Sequence, residues 1–271
     1  MDFIIKLLIK TFALTIYLTG MIVLAGFVLG ILRKESIKNF QKSFGNKAVM
    51  ITGFIGVPLH ELSHAGAALI FGHKITSIKL FQKPDENGIL GYVNHSYNPG
   101  SLDQQAGNFF IGVAPIFGGT FAIIALMKLI IPKAYNEFII VVIKNLHVTT
   151  LNKTIIDEIL ISYGALIKSI FSLNNFTNPY FYLYIFFGIC ISSHISLSYA
   201  DIKGATRGAC VIFLILLVLN AFSLSRYIVA SNIIKYNVLL IGFLLVAVLL
   251  SLLTFLISLF LVLIKYLKVK L

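Results

Sequence analysis

Long apolar runs, separated by short polar segments, dominate the chain. Six of these runs contain at least about 20 mainly apolar residues, the length that an α-helix needs to cross roughly 30 Å of hydrocarbon. They cover residues 11–32, 48–72, 107–131, 179–199, 204–225 and 236–264. The pattern predicts an all-α polytopic membrane protein with about six transmembrane helices, folded as a single membrane-embedded domain over residues 1–271, with its core in 48–131 and 179–225.

Three of the segments between these runs have patterns of their own. Residues 75–97 contain two short β-prone stretches around the turn-forming sequence 83–88, which predicts a small membrane-associated β-hairpin directly after the second run. Residues 132–178 predict an amphipathic, interfacial helix that begins near Thr154. The segment 33–47 is strongly basic, which is typical of an amphipathic helix on a membrane surface.

Composition supports a membrane location. The chain is 58% hydrophobic and 12% charged, whereas soluble domains are about 45–50% apolar and about 25% charged. The net charge of +12 suits loops that face anionic lipid headgroups. No basic patch is interleaved with aromatic residues, so no nucleic-acid partner is expected. The first run has no small-residue cleavage site after it, which favours a retained helix over a cleaved signal peptide.

The second run contains the sequence His60-Glu61-Leu62-Ser63-His64, an HExxH pattern. Residues i and i+4 share one face of a helix, so His60 and His64 can reach one metal ion, with Glu61 placed as a general base. The alternative is a seam of buried polar contacts that matches the pattern by chance. Ionisable groups at the bilayer centre cost roughly 2.5–3.5 kcal/mol each, which favours a ligand-binding role for this cluster.

A catalytic zinc site usually has three protein ligands, so a third is expected elsewhere. Asp201 lies between the fourth and fifth runs, on the same side as the hairpin when crossings are counted. Its alternative role is to cap the fifth helix. His194 is the next candidate, as a ligand, as a partner that orients one, or as an ordinary buried histidine. His95, in the hairpin, is either a substrate-orienting or metal-binding residue or a surface histidine.

These motifs resemble the site-2 protease family of intramembrane zinc metalloproteases. The HExxH helix and the hairpin after it are similar to that family's, Gly112-Val113-Ala114-Pro115 resembles its Ala-Gly-Pro segment, and Asp201 with Gly204 resembles its Asp-Gly motif. The resemblance implies Zn²⁺ held by His60, His64 and Asp201, with Glu61 as the base. It implies membrane-protein substrates with transmembrane segments, within a prokaryotic cell membrane. The candidates for ligand orientation or substrate handling are His194, His95, Pro115 and Asn94.

The chain also departs from that family. The family's Asn after Gly-Pro is replaced by Ile116-Phe117-Gly118-Gly119, and the Asp motif reads Ala-Asp-Ile-Lys-Gly. The main alternative is therefore a catalytically inactive membrane-embedded homologue that acts as a binding or regulatory protein. A transporter would need paired discontinuous helices in two halves, and none is apparent. A prenyl-protein protease would need a glutamate ligand on a later helix, whereas Glu137 and Glu158 lie in 132–178.

Overall fold

The computed structural model describes residues 2–86, 88–148, 152–227 and 230–270. Helices form most of it, and two short strands form an antiparallel hairpin. The helices are α1 (Asp2–Phe44), α2 (Asn46–Ile70), α3 (Leu102–Ile130), α4 (Pro132–Asn145), α5 (Lys153–Ile170), α6 (Leu173–Phe176), α7 (Pro179–Ser192), α8 (Tyr199–Ala221) and α9 (Ala230–Lys270), with a 3-10 helix at Leu224–Tyr227. The strands are β1 (Lys74–Lys79) and β2 (Tyr92–Ser96).

Among the described residues, four helical stretches are long and apolar enough to cross a bilayer. They are Asp2–Phe44, Leu102–Ile130, Tyr199–Ala221 and Asn232–Leu267. These helices support the predicted helical membrane protein, but they do not confirm six crossings. Helix α2 is long enough, yet the polar HExxH residues lie in its second half, and α7 is only 14 residues long.

The predicted break after the first run is absent, because α1 continues through the basic segment to Phe44. The reason is tertiary packing on α9. Asn39 and Phe40 are buried, and Asn39 Nδ2 donates a hydrogen bond of 3.2 Å to Ser258 Oγ. Helix α2 then begins after Gly45, whose φ of 69° lies in the left-handed region that glycine adopts without strain.

The long helix α1 packs against both α8 and α9. Asn220 Nδ2 near the end of α8 donates to Thr11 Oγ1 near the start of α1, at 2.9 Å, and Leu197 just before α8 contacts Gly26. Helix α8 therefore runs antiparallel to α1. Helix α9 runs parallel to α1, since Tyr236 donates to the Leu18 carbonyl and Lys265 to the Lys42 carbonyl. This packing brings the turn between α7 and α8 against the second half of α1.

The segment 132–178 contains two longer helices. A helix is present where one was predicted to begin near Thr154: it is α5, which begins one residue earlier, whereas α4 was not predicted. Phe138 of α4 and both Tyr163 and Leu166 of α5 are buried in the main hydrophobic cluster. The apolar faces of both helices therefore cover the core.

The predicted hairpin is confirmed, with Ile75 opposite His95 and Ile78 opposite Val93. Helix α2 ends in a Schellman motif, in which the His73 amide donates to the Ala68 carbonyl at 2.8 Å and Gly72 adopts a φ of 69°. The chain consequently turns directly from α2 into β1. Asn87, in the predicted turn, lies outside the described residues.

Candidate metal centre

Helix α2 brings the two HExxH histidines together as the i, i+4 spacing predicts. The Nε2 atoms of His60 and His64 lie 3.1 Å apart, and their side chains are 14% and 9% exposed. Both rings therefore point into the protein from one face of the helix.

The other ring nitrogen of each histidine contacts a backbone carbonyl. His60 Nδ1 lies 2.7 Å from the His194 carbonyl oxygen, and His64 Nδ1 lies 2.8 Å from the Ile111 carbonyl oxygen. A carbonyl only accepts, so each Nδ1 carries a hydrogen, and in the neutral form of each ring the Nε2 atom presents a lone pair. Two lone pairs thus converge on one point, an arrangement that a cation stabilises and that is typical of histidine ligands.

Asp201 completes the cluster from the first turn of α8. Its carboxylate oxygens lie 3.1 Å from His64 Nε2 and 3.7 Å from His60 Nε2. The same carboxylate accepts the Ser198 amide at 2.6 Å, and Ser198 Oγ accepts the Asp201 amide at 3.2 Å, which forms a capping box. Asp201 is therefore the third helical residue of the capping box, with Ser198 as the N-cap residue. The same carboxylate also faces the two histidines.

The dimensions of this cluster fit a metal ion. One ligand atom from each of the three residues lies within 4.8 Å of the other two, and no other such group of three occurs among the described residues. Two nitrogens that each lie roughly 2.0–2.1 Å from a tetrahedral zinc ion are about 3.3 Å apart, close to the spacing of the two Nε2 atoms here. Two imidazoles and a carboxylate leave a fourth tetrahedral position open, as catalytic zinc sites do.

Glu61 lies beside the cluster, under the loop that joins the two strands of the hairpin. It is 7% exposed, and a Cβ added at Gly91 would lie 3.0 Å from Glu61 Cγ and 2.7 Å from Val57 Cγ1. Only glycine at position 91, directly before β2, allows the chain to approach α2 this closely. The hairpin therefore covers the residue that the sequence assigns as general base.

Glycines of α3 permit the close packing that supports the cluster. A Cβ at Gly112 would lie 2.6 Å from the Asp201 carbonyl oxygen, and one at Gly118 would overlap Ser63, with its Cβ 2.8 Å away. Gly112 belongs to the segment that resembles Ala-Gly-Pro, and Gly118 belongs to the stretch 116–119 that departs from that family's pattern. Pro115 is buried within α3. Across the described chain, no hydrogen bond or ion pair joins Pro115 to the three donors.

The turn between α7 and α8 is held by side chains that the sequence did not single out. Arg33 Nε donates to the Ser193 carbonyl at 3.2 Å and Arg33 Nη1 donates to Ser196 Oγ at 2.9 Å. The His194 Nε2 atom lies 3.2 Å from Thr52 Oγ1, and among the described residues no hydrogen bond joins this ring to the side chains of His60, His64 or Asp201. Its contribution to the centre is the backbone carbonyl that contacts His60.

The hairpin histidine forms a separate pair. His95 Nδ1 lies 2.9 Å from His73 Nδ1, and His73 Nε2 contacts the Gln104 carbonyl at 2.8 Å. Burial lowers the pKa of His95, and the neighbouring rings of His73 and His64 lower it further when they are protonated. Asn94 is exposed and donates to Ser77 Oγ across the hairpin at 2.9 Å. In the part of the chain that the structure describes, neither His95 nor Asn94 bonds to the three donors.

Comparison of the chain with protein-family models, curated proteins and solved structures returns no match. The resemblance to the site-2 proteases consequently depends on the quoted motifs. The geometry of His60, His64 and Asp201 is a separate argument for a metal centre, because it does not depend on similarity to any other protein.

Proposed function

We propose that this protein is an intramembrane zinc metalloprotease, which hydrolyses peptide bonds in or near the transmembrane segments of other membrane proteins. The observation that carries the proposal is the convergence of two Nε2 lone pairs and one carboxylate on a single point. Glu61, next to His60 in sequence, supplies the base that peptide hydrolysis needs. The proposal includes six crossings of a prokaryotic cell membrane, with α2 and α7 packed among the four apolar helices.

His60, His64 and Asp201 would hold the ion. Zinc at this position supplies a Lewis acid, which makes water more acidic and polarises a peptide carbonyl. Glu61 accepts a proton from the attacking water at its carboxylate and returns that proton to the leaving amine. The His194 and Ile111 carbonyls keep the two imidazoles in the tautomer that binds a metal.

The hairpin offers a place for an extended substrate. Among the described residues its sheet has two strands, so each strand keeps one edge that no other strand covers. A substrate segment that unwinds from its helix regains backbone hydrogen bonds when it adds to such an edge. The close approach of Gly91, directly before β2, to Glu61 supports a substrate position near the proposed base.

The test compares wild type with Glu61→Gln, His64→Ala and Leu62→Ala, each purified as the full chain. Zinc is measured by mass spectrometry, and cleavage is measured on single-span membrane proteins in liposomes. Glu61→Gln should keep zinc and lose at least about 100-fold in cleavage rate, because it removes only the general base. His64→Ala should lose zinc. Leu62→Ala is the control, since Leu62 is 51% exposed on the same turn.

Each alternative has its own result. Unchanged cleavage by Glu61→Gln would contradict the role of Glu61, and a wild-type protein that binds no zinc would contradict the metal centre. Zinc in both proteins, with substrate binding but no cleavage by either, would favour the inactive homologue that acts as a binding or regulatory protein.

A further inference from the structure

A basic cavity lies between the second half of α1 and the turn that precedes α8. Its volume is about 560 Å³. Three cationic side chains line it from α1, and hydroxyl groups line it from the turn and the start of α8. These residues are Arg33, Lys34, Lys38, Ser196, Ser198 and Tyr199. No Asp or Glu is among the described residues that line this cavity.

The charges of this basic cavity are only partly balanced within the protein. Lys38 pairs with Glu35 at 3.5 Å, where both side chains are well exposed. Within the described ranges, neither Arg33 nor Lys34 has a carboxylate within the 4.0 Å of an ion pair. The guanidinium of Arg33 is buried and interacts electrostatically with the carboxylate of Asp201, whereas the two lysines, among the described residues, have only Glu35 nearby, so the cavity keeps an excess of positive charge that favours an external anion.

The hydroxyl groups on the opposite wall are arranged as donors. Ser196 Oγ already accepts a hydrogen bond from Arg33, and Ser198 Oγ accepts one from the Asp201 amide. Each hydroxyl hydrogen therefore remains to be donated, and no described residue accepts either one. Arg33 Nη2 has no described partner either. The cavity thus combines positive charge with unused hydrogen-bond donors, which is the chemistry that binds phosphate.

We propose that this basic cavity binds a phosphate group, most directly that of an anionic phospholipid headgroup. Basic pockets between transmembrane helices at the membrane surface bind such headgroups. The cavity volume is within the range of ordinary small-ligand sites of about 300–1,000 Å³. The cavity adjoins the metal centre, since its residue Ser198 forms the capping box with Asp201, but phosphate binding does not depend on the proposed proteolysis.

The test uses the purified full-length protein, freed of lipid and then exchanged into nanodiscs that contain either phosphatidylglycerol or phosphatidylcholine. Native mass spectrometry counts the lipids that remain bound. The double variant Lys34→Gln with Lys38→Gln removes two charges and leaves the hydrogen bonds of Arg33 in place. It should bind phosphatidylglycerol about 30-fold more weakly. Lys6→Gln with Lys10→Gln removes the same charge from the other end of α1 and is the matched control.

Glu35→Gln should act in the opposite direction, because it releases Lys38 from its partner. The expected order of phosphatidylglycerol retention is Glu35→Gln, then wild type equal to the Lys6/Lys10 control, then the Lys34/Lys38 variant. Any other order, or equal retention of phosphatidylcholine, would overturn the proposal. A competition with millimolar inorganic phosphate distinguishes the two sources of the phosphate group. Displacement of phosphatidylglycerol would show that the site also binds free phosphate, and continued retention of the lipid would show that the site is specific for the headgroup.

Discussion

Gly56→Ala tests whether close packing between α2 and α7 sets the geometry of the metal centre. A Cβ at position 56 would overlap the Cys190 carbonyl oxygen and would lie 2.7 Å from His194 Cδ2. Neither group can rotate away freely, because the carbonyl belongs to the backbone and the His194 ring bonds to Thr52. The turn that carries the His194 carbonyl must therefore move, and this carbonyl is the partner of His60 Nδ1.

The expected magnitude follows from a comparison with Gly66→Ala on the same helix. A Cβ at Gly66 meets no atom within 4 Å. Both substitutions gain up to about 1 kcal/mol of helix propensity, so this contribution cancels between them. Overpacking costs about 1–3 kcal/mol, which is the expected difference in stability between the two variants. Loss of the carbonyl partner of His60 should also weaken zinc binding about 10- to 100-fold in Gly56→Ala alone.

Two measurements on the detergent-purified chain decide the matter. Melting followed by circular dichroism should place Gly66→Ala at or above wild type and Gly56→Ala below it. Competition with a chromophoric chelator should give the difference in zinc affinity. If Gly56→Ala melts like Gly66→Ala and binds zinc like wild type, the packing argument is wrong.

Three further predictions concern the turn, the cap and the hairpin. Arg33→Gln removes two hydrogen bonds to the turn between α7 and α8, and it should weaken zinc binding about tenfold in a chelator competition. Zinc affinity equal to that of wild type would show that the turn keeps its position without Arg33. Ser198→Ala should lower the free energy of unfolding by about 0.5–2 kcal/mol and retain zinc, because it removes only the cap. Asp201→Asn should lose zinc, and retention of zinc by this variant would exclude Asp201 as a ligand. The pKa of His95 is below its ordinary 6.5 in the folded chain, so the unfolded chain binds more protons and stability falls as pH drops below about 6.5. His95→Gln should flatten that part of the curve of melting temperature against pH, and an unchanged slope would contradict the assignment.

The sequence predicts the parts of this molecule that depend on local physics. The i, i+4 spacing places both HExxH histidines on one face, and turn chemistry at 83–88 places the hairpin. Asp201 could be proposed because few residue types bind zinc and few of them lie near the end of an apolar run. Its position in the first turn of α8 then follows from the capping box with Ser198, which is also a local signal.

The parts that the sequence did not predict depend on contacts between distant residues. The basic composition of 33–47 suggested a separate surface helix. Instead, α1 continues to Phe44, because Asn39 and Phe40 are buried and Asn39 bonds to Ser258 of α9. The apolar pattern gave no sign that Arg33 reaches Ser193 and Ser196, residues about 160 positions later. A charged residue directly after an apolar run is usually a membrane-surface residue, so only the packing of α1 on the α7–α8 turn distinguishes this arginine.

His194 shows why a residue can matter without the role that its type suggests. Its imidazole is the next candidate for a ligand after Asp201, yet the ring bonds Thr52 and the backbone carbonyl orients His60. Any residue supplies a carbonyl, so this function has no signature in the sequence. The histidine ring can still be required, because its bond to Thr52 and its contact with Gly56 fix where that carbonyl lies. His194→Ala should therefore weaken metal binding through position alone, and His194→Gln, which can keep the bond to Thr52, should restore much of the zinc affinity in the same chelator competition. Equal loss in both variants would instead favour a direct role for the imidazole.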